Sequence, residues 1–438
     1  MVEHADVVVV GGGPAGAATA ILLRRQGHAV TLLEKAHLPR PKPCGESLSP
    51  EAAPLLQGLG VLEGLLAGLH GTMAGFAIFP YGAEPFYGTY AARSGGNAHR
   101  TAGLSIPRLL LDPALLGAAR AAGVTVREGW AVQSVGTWEG EGRAVGGRDA
   151  AGQPFSMRAP LVIGADGVHS TVARRLGLAR PSSRLRQVAI VTHMRGVQGL
   201  GAYGEMHVAP GGYCGVAPLR DGLANVAIVV PAPQPRASSG RPSPRPAAGT
   251  RDGAEPMSEA WNLPERGMAS AHGGLEGYFR GHLARYPHLA ERLRDAKIVG
   301  GPWSTSGLAC GVRRRVDDGL LLVGDAGGYY DPFTGEGIYR GLRGATMAAE
   351  VAGHALATGD VHAARLRPYA WAYRREFVPK RLVEIIVHEV TTRRPLFEHV
   401  ADRLRRRPGL ADALVGVTGD FLSPYEVLSP WYLARLLV

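Results

Sequence analysis

The stretch Val7-Val8-Val9-Val10-Gly11-Gly12-Gly13-Pro14-Ala15-Gly16 decides the fold. Four consecutive β-branched residues predict a strand buried on both faces. The glycines that follow have Gly-x-Gly-x-x-Gly spacing and open an Ala- and Leu-rich helix over 17–26, which Gly27 ends. A second strand is expected over 29–33, and Glu34 closes it. Each glycine has a physical task. Gly11 permits a tight turn, Gly13 lets the backbone approach a pyrophosphate, and Gly16 lets helix and strand pack closely. The helix start, with Pro14 and Ala15, supplies N–H groups and a positive dipole end for phosphates. Glu34 suits a ribose 2′-hydroxyl and repels a 2′-phosphate, so the nucleotide expected here is FAD or NAD rather than NADP.

Working outward, aromatics at short spacing over 72–92 predict strands of a different sheet. A helix over 109–122 and a strand over 124–126 follow, then a β-meander over 130–158. A buried strand over 161–163 leads into Gly164-Ala165-Asp166-Gly167. Two or three strands are expected over 184–230. The segment 231–272 is dense in Pro, Ser, Gly and Arg without periodicity, and reads as a disordered insertion. Helix is expected over 275–296, a strand over 320–323 ending at Gly324-Asp325, and a helix over 338–358. The remainder reads as mostly helical, broken at prolines 395, 408, 424 and 430.

The chain has 438 residues, 45% hydrophobic and 19% charged, which is a globular composition. Its net charge of +11 alone would suggest nucleic acid. Only Lys35, Lys42, Lys297 and Lys380 among the 48 basic residues are lysines, however, and the arginines are scattered. This is a compositional bias, and no nucleic-acid partner is expected. Three widely spaced cysteines exclude a CxxC zinc site and suit a reducing compartment. His388-Glu389 begins like a zincin helix, but Thr392 replaces the second histidine, so no metal is expected. No apolar run is long enough for a transmembrane segment or signal peptide, which makes the cytoplasm the expected location.

Together with Gly11–Gly16 and Glu34, the motifs Gly164-Ala165-Asp166-Gly167 and Gly324-Asp325-Ala326 resemble FAD-dependent oxidoreductases of the flavin monooxygenase and geranylgeranyl reductase-like superfamily. Cys44-Gly45-Glu46-Ser47-Leu48, Arg108 with Asp112, and Asp331-Pro-Phe-Thr-Gly335-Glu-Gly337-Ile338 are most similar to the geranylgeranyl reductase-like branch. Pro210-Gly-Gly-Tyr213-Cys-Gly215 departs from that branch's signature by lacking a tryptophan, which speaks against a prenyl substrate. Halogenation is disfavoured, because no lysine lies between Cys44 and Arg108. A non-enzymatic prenyl-protein chaperone is disfavoured by the intact flavin motifs.

The resemblance implies FAD contacts at Gly11, Gly13, Pro14, Ala15, Gly16, Glu34, Lys35, Gly45, Arg108, Val132, Asp166, Gly324, Asp325, Gly335, Gly337 and Ile338. It makes Cys44 and Tyr213 the catalytic candidates, while His193 has no identified partner and is assigned no role. The leading expectation is a monooxygenase that hydroxylates an aromatic or polyketide-like molecule through a flavin C4a-hydroperoxide. The alternative is a reductase of C=C bonds in a prenyl or polyene chain. No second strand–GxGxxG–helix unit exists, so NAD(P)H is expected to dock transiently, or a reductase partner to deliver electrons. The substrate is expected to be apolar or aromatic, free or bound to a carrier protein, with peripheral membrane contact if it is lipidic.

The expected fold class is α/β, α+β overall. A discontinuous Rossmann-like FAD domain is expected from 1–71, 103–183 and 300–360. An interleaved antiparallel-sheet substrate domain is expected from 72–102 and 184–299, followed by a helical region over 361–438.

Overall fold

The computed structural model describes residues 3–90, 102–181, 186–232 and 274–437. All but the first two residues of the expected 231–272 insertion lie outside them.

Val7–Val10 forms the centre of a six-stranded sheet, as its unbroken apolar run requires. The order is Val316–Asp317, Leu320–Leu322, Leu161–Gly164, Val7–Val10, Val30–Glu34, Thr125–Glu128. Every pair is parallel except the first, which is an antiparallel edge. The strands come from distant parts of the chain, so this sheet is discontinuous in sequence, as expected. One face is covered by the helices Pro14–Arg25, Arg108–Ala121 and Gly337–Ala357. The meander Ala131–Val135, Arg143–Arg148 and Pro154–Ala159 covers the other.

A seven-stranded, mainly antiparallel sheet runs Lys297–Ser306, Gln187–Arg195, Leu223–Pro231, Gly212–Pro218, Tyr203–Ala209, Gly75–Pro80, Phe86–Thr89. Two expectations need correction. The 184–230 stretch yields four strands instead of two or three. The strand Tyr203–Ala209 is hard to read because it buries Glu205 and His207. These polar groups are tolerated because Glu205 Oε2 accepts from His207 Nε2 at 2.8 Å and from Arg292 at 2.7 Å. The strand Lys297–Ser306 pairs with Gln187–Arg195, so a boundary at 299/300 cuts the large sheet.

The helices Gly274–Leu283 and Pro287–Arg292 cover one face of this sheet. The other face meets five C-terminal helices: Ala363–Thr391, Arg394–Arg406, Pro408–Thr418, Pro424–Leu428 and Pro430–Leu437. Prolines 395, 408, 424 and 430 occupy helix starts, where the missing N–H costs nothing. The helix Pro408–Thr418 lies directly on the strand Phe86–Thr89: a Cβ on Gly88 would come within 2.6 Å of Ala411 O. Among the described residues no helix is long and apolar enough to cross a membrane.

Candidate flavin and substrate site

At the carboxyl end of Val7–Val10 the three glycines behave as their spacing requires. Gly11 has φ +105°, and a Cβ there would lie 2.5 Å from Ala165 O. A Cβ on Gly16 would lie 1.9 Å from Gly11 O. Gly13 faces open space, the nearest group to its missing Cβ being an Arg108 guanidinium nitrogen at 3.8 Å. Gly13 is also the N-cap of Pro14–Arg25, with no side-chain cap, so the helix start is left to a ligand. Glu34 is buried beside the loop. Its Oε2 accepts from Gly12 N at 2.7 Å and its Oε1 from Ala36 N at 3.0 Å. Lys35, next in sequence, is exposed, and Val132 sits half-buried on the meander.

Two helix starts converge here. A Cβ on Gly324 would approach Ala15 Cβ at 2.8 Å, and Gly341 lies against the same alanine. The helix Gly337–Ala357 begins after Gly335, whose φ is +73°, and likewise lacks a side-chain cap. Its dipole end, at Gly337 and Ile338, therefore favours negative charge. Asp325 lies in the turn Gly324–Gly327; burial pushes its carboxyl up, opposed by Lys42, Arg108 and Arg340. Among the described residues no protein donor bonds that carboxylate. Asp166 Oδ2 accepts from Thr171 N at 2.6 Å and Val172 N at 3.2 Å, while its Oδ1 is buried without a partner. This donor set fits FAD: an open helix start for a diphosphate and a carboxylate for a hydroxylated chain. Lys42 was not among the expected contacts. It reaches 3.4 Å from the position of a Gly167 Cβ, and burial lowers its ammonium pKa.

Half-buried Cys44 and buried Arg108 belong to one network. Arg108 Nε and an Nη each meet an Asp112 oxygen at 2.6 Å. Glu46, at φ 57°, accepts from Arg108 N at 2.8 Å, His193 Nε2 at 2.7 Å and Asn225 Nδ2 at 3.0 Å. Asn225 Nδ2 also donates to Cys44 O at 3.0 Å. The network ties the nucleotide fold to the large sheet. It also corrects the reading of His193, whose partner lies 147 residues away and leaves no local signal. Burial pushes the Cys44 thiol up against the pull of Arg108, so it stays protonated at neutral pH. Gly45 is exposed beside it.

A second network centres on Asp331. It accepts from Tyr213 Oη at 2.6 Å, Phe333 N at 2.9 Å, His388 Nδ1 at 3.0 Å and Gln187 Nε2 at 3.3 Å. Burial and the Asp331 charge push the Tyr213 hydroxyl well up. The hydrogen bond to Asp331 pushes His388 up. From sequence, His388 entered only as half of a zinc pair; its partner is carried by another element.

Tyr213 packs edge-on against Phe333 at 5.0 Å, and Phe333 borders an apolar cavity of about 110 Å³. Phe76, Ile78 and Phe86 of the sheet form one wall; Val387, Leu404 and Tyr432 of the C-terminal helices form another. Thr334 borders it one residue before Gly335, so the cavity abuts the flavin-side helix start.

Behind that start, Glu336 is buried with Arg340, Lys380, Glu384 and Asp420. Burial, then the Asp420 charge, raises Glu336 from 4.5 to about 8. The folded state therefore holds a proton that the unfolded chain releases above its ordinary pKa. Glu336 thus makes stability fall as pH rises from about 4.5 to about 8. Glu336→Gln is expected to flatten this slope, as read by urea unfolding at pH 5 and pH 8. An unchanged difference between the two midpoints would refute a buried neutral Glu336.

Comparison with known proteins agrees with this geometry. The chain is 27% identical over 358 residues to Conditioned medium factor receptor 1 of Dictyostelium discoideum; the match takes in 78% of this chain and spans 62% of that protein's length. It is 28% identical to Digeranylgeranylglycerophospholipid reductase 1 of Methanococcoides burtonii, over 89% of this chain and 84% of that protein. It is 29% identical to Menaquinone reductase of Mycolicibacterium smegmatis, over 80% and 77%. Among solved structures, a flavoprotein/dehydrogenase from Cytophaga hutchinsonii superposes with TM-score 0.76 at 20% identity, covering 99% and 96% of the two chains. A geranylgeranyl bacteriochlorophyll reductase-like protein from Thermoplasma acidophilum gives 0.74 at 21%, covering 100% and 99%. A flavin-dependent brominase gives 0.73 at 19%, covering 99% and 100%, so the shared fold does not choose among chemistries. Residues 4–245 match the FAD binding domain family. With the glycine loop, Glu34 and Asp325 in place, the chain belongs to that family and is an FAD-dependent oxidoreductase.

Proposed function

We propose that this enzyme reduces carbon–carbon double bonds in a slender apolar substrate of prenyl or polyene type. The observation that carries the reading is the narrow cavity between sheet and C-terminal helices, lined almost wholly by hydrocarbon and ending at Phe333-Thr334. An aromatic or polyketide-like substrate for hydroxylation, the leading expectation from sequence, would call for polar anchors in the cavity wall. The relatives named as reductases of geranylgeranyl lipids and of menaquinone support the same choice.

FAD, when bound, supplies the two-electron chemistry. The chain's residues exclude water, align the substrate and provide a proton. Cys44 is the proposed proton donor, since burial keeps its thiol protonated. Tyr213 is a positioning residue whose orientation is locked by Asp331; His388, at 20% side-chain exposure, links that carboxylate towards solvent. The reading includes a cytoplasmic location and peripheral membrane contact. The helices that line the cavity expose Tyr425 and Trp431, and Leu437 follows at the end of the last one.

The test is anaerobic turnover of a geranylgeranyl lipid with dithionite as reductant, followed by mass spectrometry. Addition of two hydrogens per double bond is expected. Cys44→Ala should keep its FAD and lose about 10²-fold or more in rate. A product that forms only with O₂ and gains an oxygen atom would overturn the proposal in favour of monooxygenation.

A further inference from the structure

A second cavity, of about 570 Å³, is bordered by Tyr329, whose ring also lies against the helix start at Gly337. It is bounded by the segment 312–317, by Gly328-Tyr329-Tyr330, and by one side of the helix Ala363–Thr391. Its wall carries a dense positive charge. Arg313, Arg315, Arg367, Arg374 and Arg381 have no ion-pair partner among the described residues. Arg314 is paired with Asp317, the cavity's single carboxylate, at 2.8 Å, and Arg340 is held by Glu384. Arg315 lies over Gly327 and Gly328, and its Nε is buried without a hydrogen-bond partner. Its guanidinium sits 4.0 Å above the Tyr373 ring, and that of Arg381 sits 5.4 Å from the Tyr330 ring.

We infer that this arginine-lined cavity binds the phosphate groups of a soluble pyridine dinucleotide. Guanidinium forks match phosphate oxygens in pairs. The volume lies in the range of small-molecule sites. The arginines converge from two separate segments on a concavity, whereas a bilayer surface calls for a flat array. The inference rests on the chain being an FAD oxidoreductase that needs a reductant, and not on the identity of its substrate. It gives the transiently docking NAD(P)H a place without a second nucleotide fold.

The test is calorimetric titration of the FAD-loaded protein with NADP⁺, at low and high salt. The parent is expected to bind, with affinity falling as salt rises. Arg315→Gln, and separately the exposed pair Arg374→Gln/Arg381→Gln, should weaken binding about tenfold or more, as loss of a charge-assisted hydrogen bond does. FAD content should be unchanged in both. Arg195→Gln, an exposed arginine outside the cavity, should bind like the parent. Phosphatidylglycerol vesicles are tested in parallel by co-sedimentation. Absence of NADP⁺ binding by the parent, equal binding by all variants, or an effect on vesicles alone would each overturn the inference. Dithionite-driven turnover needs no dinucleotide, so its failure would count against the reductase reading and not against this site.

Discussion

Gly16→Ala is expected to yield protein purified without FAD. The added Cβ would sit 1.9 Å from Gly11 O, 3.1 Å from Gly11 C and 3.2 Å from Ala165 Cβ. The first two are backbone atoms of the phosphate loop and cannot swing aside as a side chain would. Relief requires either that the helix Pro14–Arg25 lift off its strand or that Gly11 move. Both displace the uncapped helix start from the diphosphate it would hold. Overpacking of this kind costs about 1–3 kcal/mol, in addition to the stabilisation that bound FAD provides by linkage. The measurements are flavin absorbance per polypeptide and thermal midpoint. Gly58→Ala is the control, since nothing lies within 4 Å of a Cβ there. Stoichiometric flavin in Gly16→Ala would show that the loop does not act as the close-packed cradle described.

Lys380→Met is expected to destabilise the fold by about 3–5 kcal/mol, the usual cost of stranding one member of a buried ion pair. Lys380 is 5% exposed, and Asp420, its hydrogen-bonded carboxylate, is sealed from solvent. The ammonium also lies 4.9 Å over the Tyr339 ring. Removing it leaves Asp420 near Glu336, with Arg340 already engaged by Glu384. Asp420 is already pushed up by burial, with Lys380 opposing, so the variant raises it further. A raised carboxyl holds a proton in the folded state, so the penalty grows as pH rises. Denaturant titration should show a larger loss at pH 8 than at pH 5. Lys380→Met/Asp420→Asn should recover most of the stability. A loss below about 1 kcal/mol, equal at both pH values, would be the surface-pair result and would exclude this account.

The nucleotide half was legible because its chemistry is local. Gly11, Gly13, Gly16 and Glu34 report a turn, an approach and an acceptor within one β-α-β unit, and the structure builds them as their spacing demands. The strand Leu161–Gly164 and the turn at Gly324-Asp325 were readable for the same reason: each is an apolar run ending in glycine. The polar networks were not. Glu46 meets His193 and Asn225 of the large sheet, and Asp331 gathers Tyr213, Gln187 and His388 from three elements. Neither has a spacing to find. Of the four strands between 187 and 231, Tyr203–Ala209 is the hardest to read, because its buried Glu205 and His207 imitate a solvent-facing pattern.

By itself, then, the sequence determined the cofactor and the fold around it, since a diphosphate is recognised by backbone geometry that a few glycines impose. Tertiary structure alone made the two cavities on which the proposed chemistry rests. The apolar cavity is made by strands near residue 80 and helices near residue 400, and the arginine-lined one by residues 312–317 and 367–381. The same arginines that read as compositional bias along the chain become a concentrated field once two segments face each other. Such cavities are properties of surfaces brought together by packing, and no window of sequence contains both walls.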